Sequence, residues 1–130
     1  MNNPPNSVLG KMYKEHIQMI LNKDIDGLLN QYTDDALLIS SFEKKPLYFK
    51  GHEGLKEHFK GILGIQDLKT DIAFWAETEN PTTLMIVEAI KMQIEGNEAN
   101  MRFADSWVLK DGKIAIHFAG MTQYPDGSVA

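Results

Sequence analysis

The sequence predicts an α+β fold in which helices from the first half of the chain pack on a mostly antiparallel sheet. Apolar residues recur at spacings of three and four in three segments before residue 65. Four strand-like stretches then follow one another, separated by turn signals at Pro81, Gly96-Asn97 and Asp111-Gly112. Because helices and strands occupy separate parts of the chain, the helices are expected on one face of an antiparallel sheet.

Three helices are predicted from capping residues and apolar stripes. Ser7 caps a helix over roughly 8–22, and Asp24 caps a short second helix. The third helix follows Gly51 and closes near Gly64. The first stripe comprises Leu9, Met12, Tyr13, His16, Ile17 and Ile20, and the second comprises Ile25, Leu28, Leu29 and Tyr32.

The other apolar runs predict six strands. They cover 36–41, 47–49, 68–78, 82–95, 98–110 and 113–123. The stretches Met85–Ile90 and Val108–Leu109 are apolar on both alternating faces, so the sheet is expected to be covered on both sides. Helices cover one side, and we expect a second copy of the chain to cover the outer face in a homodimer.

Length and charge limit the class of protein and its partners. The 130 residues predict one domain over 1–130, with a mobile polar stretch at 1–6. The formal charge of −5 is spread among interspersed acids and lysines, so no nucleic-acid partner is expected. No apolar run reaches the ~18 residues of a membrane span, and the opening residues lack a signal-peptide pattern, so the cytoplasm is the expected location.

An aspartate stands between two aromatic residues on the predicted buried face of one strand. Phe103, Asp105 and Trp107 share that face, because alternate residues of a strand point the same way. If Gly96-Asn97 is the two-residue loop of the preceding hairpin, Glu88 faces Asp105 directly. Two carboxyl groups about 5 Å apart in apolar surroundings predict a shared proton or one neutral acid.

The next turn leaves two registers open. With Asp111-Gly112 as a two-residue loop, Asp105 faces Phe118. With a three-residue loop that begins at Lys110, the glycine takes the left-handed position that such loops favour, and Asp105 faces His117. The second register is preferred, and it places the two acids and the histidine in a row across three strands.

Three stretches resemble the nuclear transport factor 2-like superfamily, whose members fold as a cone-shaped α+β barrel. KDIDGLLNQYTDDALLIS (23–40) is similar to the passage from the second helix to the first strand. FKGHEGLKEHF (49–59) is similar to the glycine-led third helix, and DSWVLKDGKI (105–114) to the signature hairpin. The resemblance runs from about residue 8 to residue 122 and implies the fold more than one activity, because this fold hosts many functions.

The ketosteroid isomerase branch gives the closest comparison of single residues. By that resemblance Asp105 takes the place of the oxyanion acid and His16 that of the oxyanion tyrosine, while Trp107 and His117 stand in the pocket wall. The place of the branch's general-base aspartate is held by Ser40, so steroid isomerase activity itself is not expected. The SnoaL-like polyketide cyclases share the fold and a pocket acid, although no complete motif of theirs matches.

The candidate site residues follow from the strand faces and from the resemblance. The acid–base candidates are Asp105, Glu88, His117 and His16, and the ligand-binding candidates are Trp107, Ser40, Phe103, Phe59, Met121 and Tyr13. His52 and His58 are expected to be exposed. The four histidines lack metal-ligand spacing, so no metal is expected. No cofactor is expected either.

Two functions remain open on the sequence. In the first, an apolar pocket binds a compact hydrophobic molecule with a carbonyl or hydroxyl, and a neutral Asp105 donates to that oxygen. Any catalysis would then be proton transfer, isomerisation, cyclisation or dehydration without a cofactor. The alternative is a non-catalytic dimeric binding module in which Asp105 is structural. A cavity of a few hundred Å³ with Asp105 in its wall favours the first, and a barrel filled by aromatic rings favours the second.

Overall fold

The computed structural model describes residues 3–130; of the opening stretch at 1–6, residues 1 and 2 therefore lie outside the described residues. Residues 3–6 form neither helix nor strand. The elements are α1 (Val8–Leu21), α2 (Ile25–Asn30), β1 (Tyr32–Ser40), β2 (Leu47–Lys50), α3 (Gly51–Phe59), a 3₁₀ turn (Lys60–Gly64), β3 (Ile65–Thr78), β4 (Thr83–Ile94), β5 (Asn97–Lys110) and β6 (Lys113–Gln123).

The six strands form one sheet in the order β2-β1-β6-β5-β4-β3. The pair β1–β6 is parallel, and the other four neighbouring pairs are antiparallel. The sheet curls without closing, and the helices pack on its concave face. The predicted α+β class and the mostly antiparallel sheet are confirmed. No helix among residues 3–130 is long and apolar enough to cross a bilayer.

The predicted helix starts are confirmed by their capping bonds. The Ser7 hydroxyl accepts a hydrogen bond from the Gly10 amide at 3.0 Å, and the Asp24 carboxylate accepts one from the Gly27 amide at 2.9 Å. At the start of α3, Gly51 has φ of +69°, a conformation that side chains with a Cβ rarely adopt. This glycine lets the chain turn directly from β2 into the helix.

The first strand begins four residues earlier than predicted. Tyr32 belongs to β1, because the backbone of Gln31 already accepts a hydrogen bond from Ile114 of β6 at 2.8 Å. The local apolar spacing predicts a helix that extends to Tyr32. Pairing with the distant strand β6 instead ends α2 at Asn30. The consequence is that Tyr32 is fully buried beneath the sheet.

The predicted register of the β4–β5 hairpin is wrong by two residues. The loop is Glu95-Gly96, with φ of +51° and +84°, and not Gly96-Asn97. Left-handed values at both loop residues suit the twist of a two-residue hairpin. Glu88 therefore opposes Phe103 and lies diagonally from Asp105. A slip of two residues leaves every side chain on its predicted face, because the strand repeat is two.

The preferred register of the β5–β6 hairpin is also wrong. The loop is the two-residue Asp111-Gly112, and a bulge near Leu109 then shifts the pairing by one residue. Trp107 opposes His117, so neither predicted partner faces Asp105 directly. The bulge nevertheless returns Asp105 and His117 to the same concave face.

Interior apolar side chains form two clusters. The first joins all three helices to the sheet and includes Leu28, Leu38, Leu55 and Trp107. The second lies farther along the inner face of the sheet and includes Ile90, Met92, Met101 and Met121. A cavity is lined by members of both clusters.

Candidate functional site

A cavity of about 360 Å³ lies on the concave side of the sheet, beneath α1 and the 3₁₀ turn. Its walls are mostly hydrophobic. We call one group of lining residues the polar end: Tyr13, His16, Glu88, Asp105 and His117. We call another group the apolar end: Ile20, Ile65, Leu68, Ile90, Met92, Ile94, Met101 and Met121. The two ends occupy successive inward-facing positions along β4 and β5.

His117 is held by the buried phenol of Tyr32. The Tyr32 oxygen lies 2.7 Å from Nδ1 of His117, and the two rings stack with an angle of 17° between their planes. Burial raises the pKa of Tyr32 well above its ordinary value of 10, so the phenol keeps its proton. With Nε2 of His117 facing the Asp105 carboxylate, Nδ1 accepts a hydrogen bond from that phenol. This bonding network assigns the His117 proton to Nε2.

Asp105 receives hydrogen bonds in this arrangement. Its Oδ1 accepts from the Gly120 amide at 3.1 Å, and its Oδ2 lies 3.5 Å from Nε2 of His117. Gly120 permits the close approach of β5 to β6 at this point, because a Cβ there would lie 2.6 Å from the carbonyl oxygen of Ala104. Asp105 is thus a hydrogen-bond acceptor, the last member of a series of polar contacts that runs from Tyr32 through His117. The sequence suggested instead a neutral Asp105 that donates a hydrogen bond.

Glu88 is the acid whose pKa is raised. It is 4% exposed, and one carboxyl oxygen accepts a hydrogen bond from the phenol of Tyr13. Burial raises the pKa of Glu88 to about 7; the Tyr13 bond lowers it, and the nearby Asp105 charge raises it further. At neutral pH Glu88 is therefore protonated in a large fraction of molecules and can donate a hydrogen bond into the cavity.

His16 is fixed as a hydrogen-bond acceptor. Its Nδ1 lies 2.9 Å from Oε1 of Gln31, and the Gln31 amide nitrogen donates to the Met12 carbonyl at 2.9 Å. The glutamine oxygen therefore faces the ring, and Nδ1 carries the proton. Burial, reinforced by nearby His117, lowers the pKa of His16 to about 3. The neutral ring presents the lone pair of Nε2, on a residue that lines the cavity.

Two residues of this site escaped the sequence analysis. His58, expected to be exposed, is half-buried in the cavity wall against Phe42 and Phe59, and burial lowers its pKa to about 4. Its spacing of three from Leu55 and four from Ile62 could have placed it on the inner stripe of α3. Tyr32 was assigned to a helix, and no pattern in the sequence indicates its bond to His117.

Most of the predicted ligand-binding residues line the cavity. Tyr13, Phe59, Phe103, Trp107 and Met121 all do. Ser40 does not: it is 1% exposed at the end of β1, where its hydroxyl accepts a hydrogen bond from the Phe42 amide at 3.1 Å. Its role is to shape the loop after β1. Within residues 3–130, no three acidic or histidine side chains are grouped to hold a metal ion.

Comparison with solved structures shows the same fold in other proteins. A protein of Anabaena variabilis described as NTF2-like is 18% identical, with a TM-score of 0.73 and coverage of 91% of this chain and 89% of that one. SalBIII, described as an epoxide hydrolase/cyclase-like enzyme in pyran ring formation, is 14% identical, with a TM-score of 0.70 and coverage of 85% and 88%. An LEH-like epoxide hydrolase of M. tuberculosis is 11% identical, with a TM-score of 0.67 and coverage of 85% and 80%.

Comparison with sequences identifies the family. No curated protein sequence matches the chain. The family model of the SnoaL-like domain matches residues 13–117, which include α2, α3 and most of the sheet. That span also contains the acids and histidines of the polar end. The chain therefore belongs to the SnoaL-like domain family, within the nuclear transport factor 2-like superfamily.

Proposed function

We propose that this protein binds a compact, largely hydrophobic molecule bearing one carbonyl or hydroxyl, and that the polar end of its cavity transfers protons on that molecule. The supporting observation is that two carboxyl groups share one cavity in different surroundings. Glu88 holds a proton near neutral pH, whereas Asp105 accepts from Gly120 and faces His117. Two such groups, placed in different environments, can serve as acid and base.

The reaction classes that fit are isomerisation, cyclisation and dehydration. Each needs one group to give a proton to a substrate oxygen and another to take a proton. Glu88 can supply the first, and Asp105 or Nε2 of His16 can accept the second. The solved structures described as an epoxide hydrolase and a cyclase-like enzyme are precedents for chemistry on this fold, at 11% and 14% identity.

Binding can be tested with N-phenyl-1-naphthylamine, an uncharged probe that fluoresces in apolar surroundings. The protein should bind about one probe per chain. Ala119→Phe places a ring beside Asp105 in the cavity wall and should abolish the signal. Ala73→Phe, at an exposed position of β3, is the matched control and should bind like the parent. Equal binding by both variants would show that the probe is outside the cavity and would count against this function.

We also propose that the chain forms a homodimer through the outer face of the sheet. Four large apolar side chains on that face, Phe74, Met85, Val87 and Phe118, are between 43% and 53% exposed. Strand pairing places them close together, because Phe74 pairs with Val87, and Ser106 pairs with both Met85 and Phe118. Exposed apolar patches of this kind mark interfaces. This face is also the observation that favours the alternative function, a dimeric interaction module without catalysis.

Sedimentation tests the dimer and separates the two functions. The parent should sediment as a dimer at micromolar concentration, and Phe118→Glu should sediment as a monomer that still binds the naphthylamine probe. A monomeric parent would exclude the interface. A dimer that binds no probe would favour the interaction module. The cytoplasm remains the proposed location, and fractionation of the native cells would test it.

A further inference from the structure

Building on the proposed function, we infer that the ligand is an uncharged aliphatic alcohol, whose hydroxyl group, rather than a carbonyl, is recognised at the polar end. The polar end combines hydrogen-bond acceptors with donors, and a hydroxyl is the uncharged group that can pair with both.

The polar end offers two hydrogen-bond acceptors, Nε2 of His16 and Oδ2 of Asp105. Gln31 holds the proton of His16 on Nδ1, so Nε2 is left as an acceptor. The Tyr32 phenol holds the proton of His117 on Nε2, so His117 is a donor, and Oδ2 of Asp105 lies 3.5 Å from it. That separation is long for a hydrogen bond, so a ligand group can compete for both atoms.

A hydroxyl satisfies this arrangement and a carbonyl does not. The hydroxyl can donate to Nε2 of His16 or to Asp105 while it accepts from protonated Glu88 or from His117. A carbonyl has no proton to donate, so it would leave Nε2 of His16 without a hydrogen-bond donor. A site built for a hydrogen-bonding group discriminates against an analogue that lacks it for this reason.

The charges around the cavity exclude an anionic ligand. The side chains that line it include two carboxyl groups, Glu88 and Asp105, and neither lysine nor arginine is among the described lining residues. His16 and His58 supply no compensating charge, because burial lowers the pKa of His16 to about 3 and that of His58 to about 4. A carboxylate or phosphate would therefore be buried beside two carboxyl groups, without a lysine or arginine partner among the described lining residues.

The apolar end fits an aliphatic tail. Its walls consist of isoleucine, leucine and methionine side chains, including Met92, Met101 and Met121. Methionine adapts its shape to different apolar partners, so the length and branching of the tail can vary. A volume of about 360 Å³ lies at the small end of the range for ligand pockets and suits a compact molecule.

Calorimetric titration of four matched compounds at pH 7 tests the inference. 2-Octanol should bind roughly tenfold more tightly than 2-octanone, and more tightly than 2-aminooctane or octanoate. Tighter binding of the ketone, the amine or the acid would overturn the alcohol assignment while leaving the pocket intact. If none of the four binds and the naphthylamine probe does not bind either, the proposed function itself fails.

Two variants and one spectrum of the parent protein test whether His16 sets the preference for the alcohol over the ketone. His16→Leu should reduce the preference for 2-octanol over 2-octanone to within about threefold. Glu15→Gln, an exposed neighbour on α1, should retain it. A long-range ¹H–¹⁵N spectrum of the parent should show His16 protonated on Nδ1, which requires no variant to fold. Protonation on Nε2 instead, or an unchanged preference in a folded His16→Leu protein, would overturn the inference.

Discussion

The phenol of Tyr13 donates a hydrogen bond to the carboxyl group of Glu88 inside the cavity, and so ties α1 to the middle of β4. Tyr13 is 3% exposed and Glu88 is 4% exposed, so water solvates neither group well. Burial raises both pKa values, and that of Glu88 reaches about 7. The fold therefore keeps an acid partly protonated at neutral pH.

The first prediction concerns this acid. Because the folded-state pKa of Glu88 is about 7 against an ordinary value of 4.5, its contribution to stability is full below pH 4.5 and is lost as the pH rises through 7. Glutamine does not ionise, so Glu88→Gln should not lose this stability as the pH rises. Relative to the parent, the variant should gain roughly 2 to 3 kcal/mol between pH 5 and pH 8, measured by urea unfolding. Parallel pH profiles for the two proteins would contradict the assignment.

His16 should show the opposite dependence. Its folded-state pKa is about 3 against an ordinary value of 6.5, so the folded protein excludes a proton that the unfolded chain binds as the pH falls below 6.5. As the pH falls from 7 to 5, the unfolding free energy of the parent should therefore drop by about 2 kcal/mol more than that of His16→Phe. Lys14→Gln, exposed on the same helix, serves as the control, and its profile should follow that of the parent.

Asp105→Asn tests the acceptor role of Asp105. An amide keeps the shape of the side chain but must turn its NH₂ group toward either the Gly120 amide or Nε2 of His117, both of which are donors. The expected cost is about 1 to 3 kcal/mol of unfolding free energy. Asp71→Asn, exposed on β3, should change it by less than about 0.5 kcal/mol. Equal effects of the two substitutions would mean that Asp105 is not held by these donors.

Tyr32→Phe tests the support of His117. The substitution removes the phenol proton that Nδ1 of His117 receives and leaves a buried acceptor without a partner. Unfolding free energy should fall by about 1 to 3 kcal/mol. The ¹⁵N spectrum of His117 should also change from a single Nε2-protonated form to a mixture of tautomers. A spectrum unchanged from the parent's would show that Tyr32 does not set the tautomer.

Ser40→Ala tests the corrected role of Ser40. Its hydroxyl bonds the Phe42 amide at the end of β1 and does not line the cavity. The substitution should cost about 1 kcal/mol of stability and leave the affinity for N-phenyl-1-naphthylamine unchanged. A loss of probe affinity beyond about threefold, in a protein that remains folded, would show that Ser40 takes part in ligand binding.

The sequence by itself determined the elements and the faces of the strands. Caps at Ser7 and Asp24 start two helices, and strand parity puts Glu88, Asp105 and His117 on the concave face. These features were predictable because each depends on residues within a few positions of one another. Parity also survived two wrong registers, because a slip of two residues and a compensating bulge leave side chains on the same side.

Only the tertiary structure decided which side chains meet. Tyr32 reaches His117, 85 positions along the chain, because β6 pairs in parallel with β1. Gln31 fixes His16 because the end of α2 lies beside α1. The proton positions at the polar end depend on these contacts and on burial. Local spacing carries no information about either, because both arise only when distant parts of the chain exclude water together.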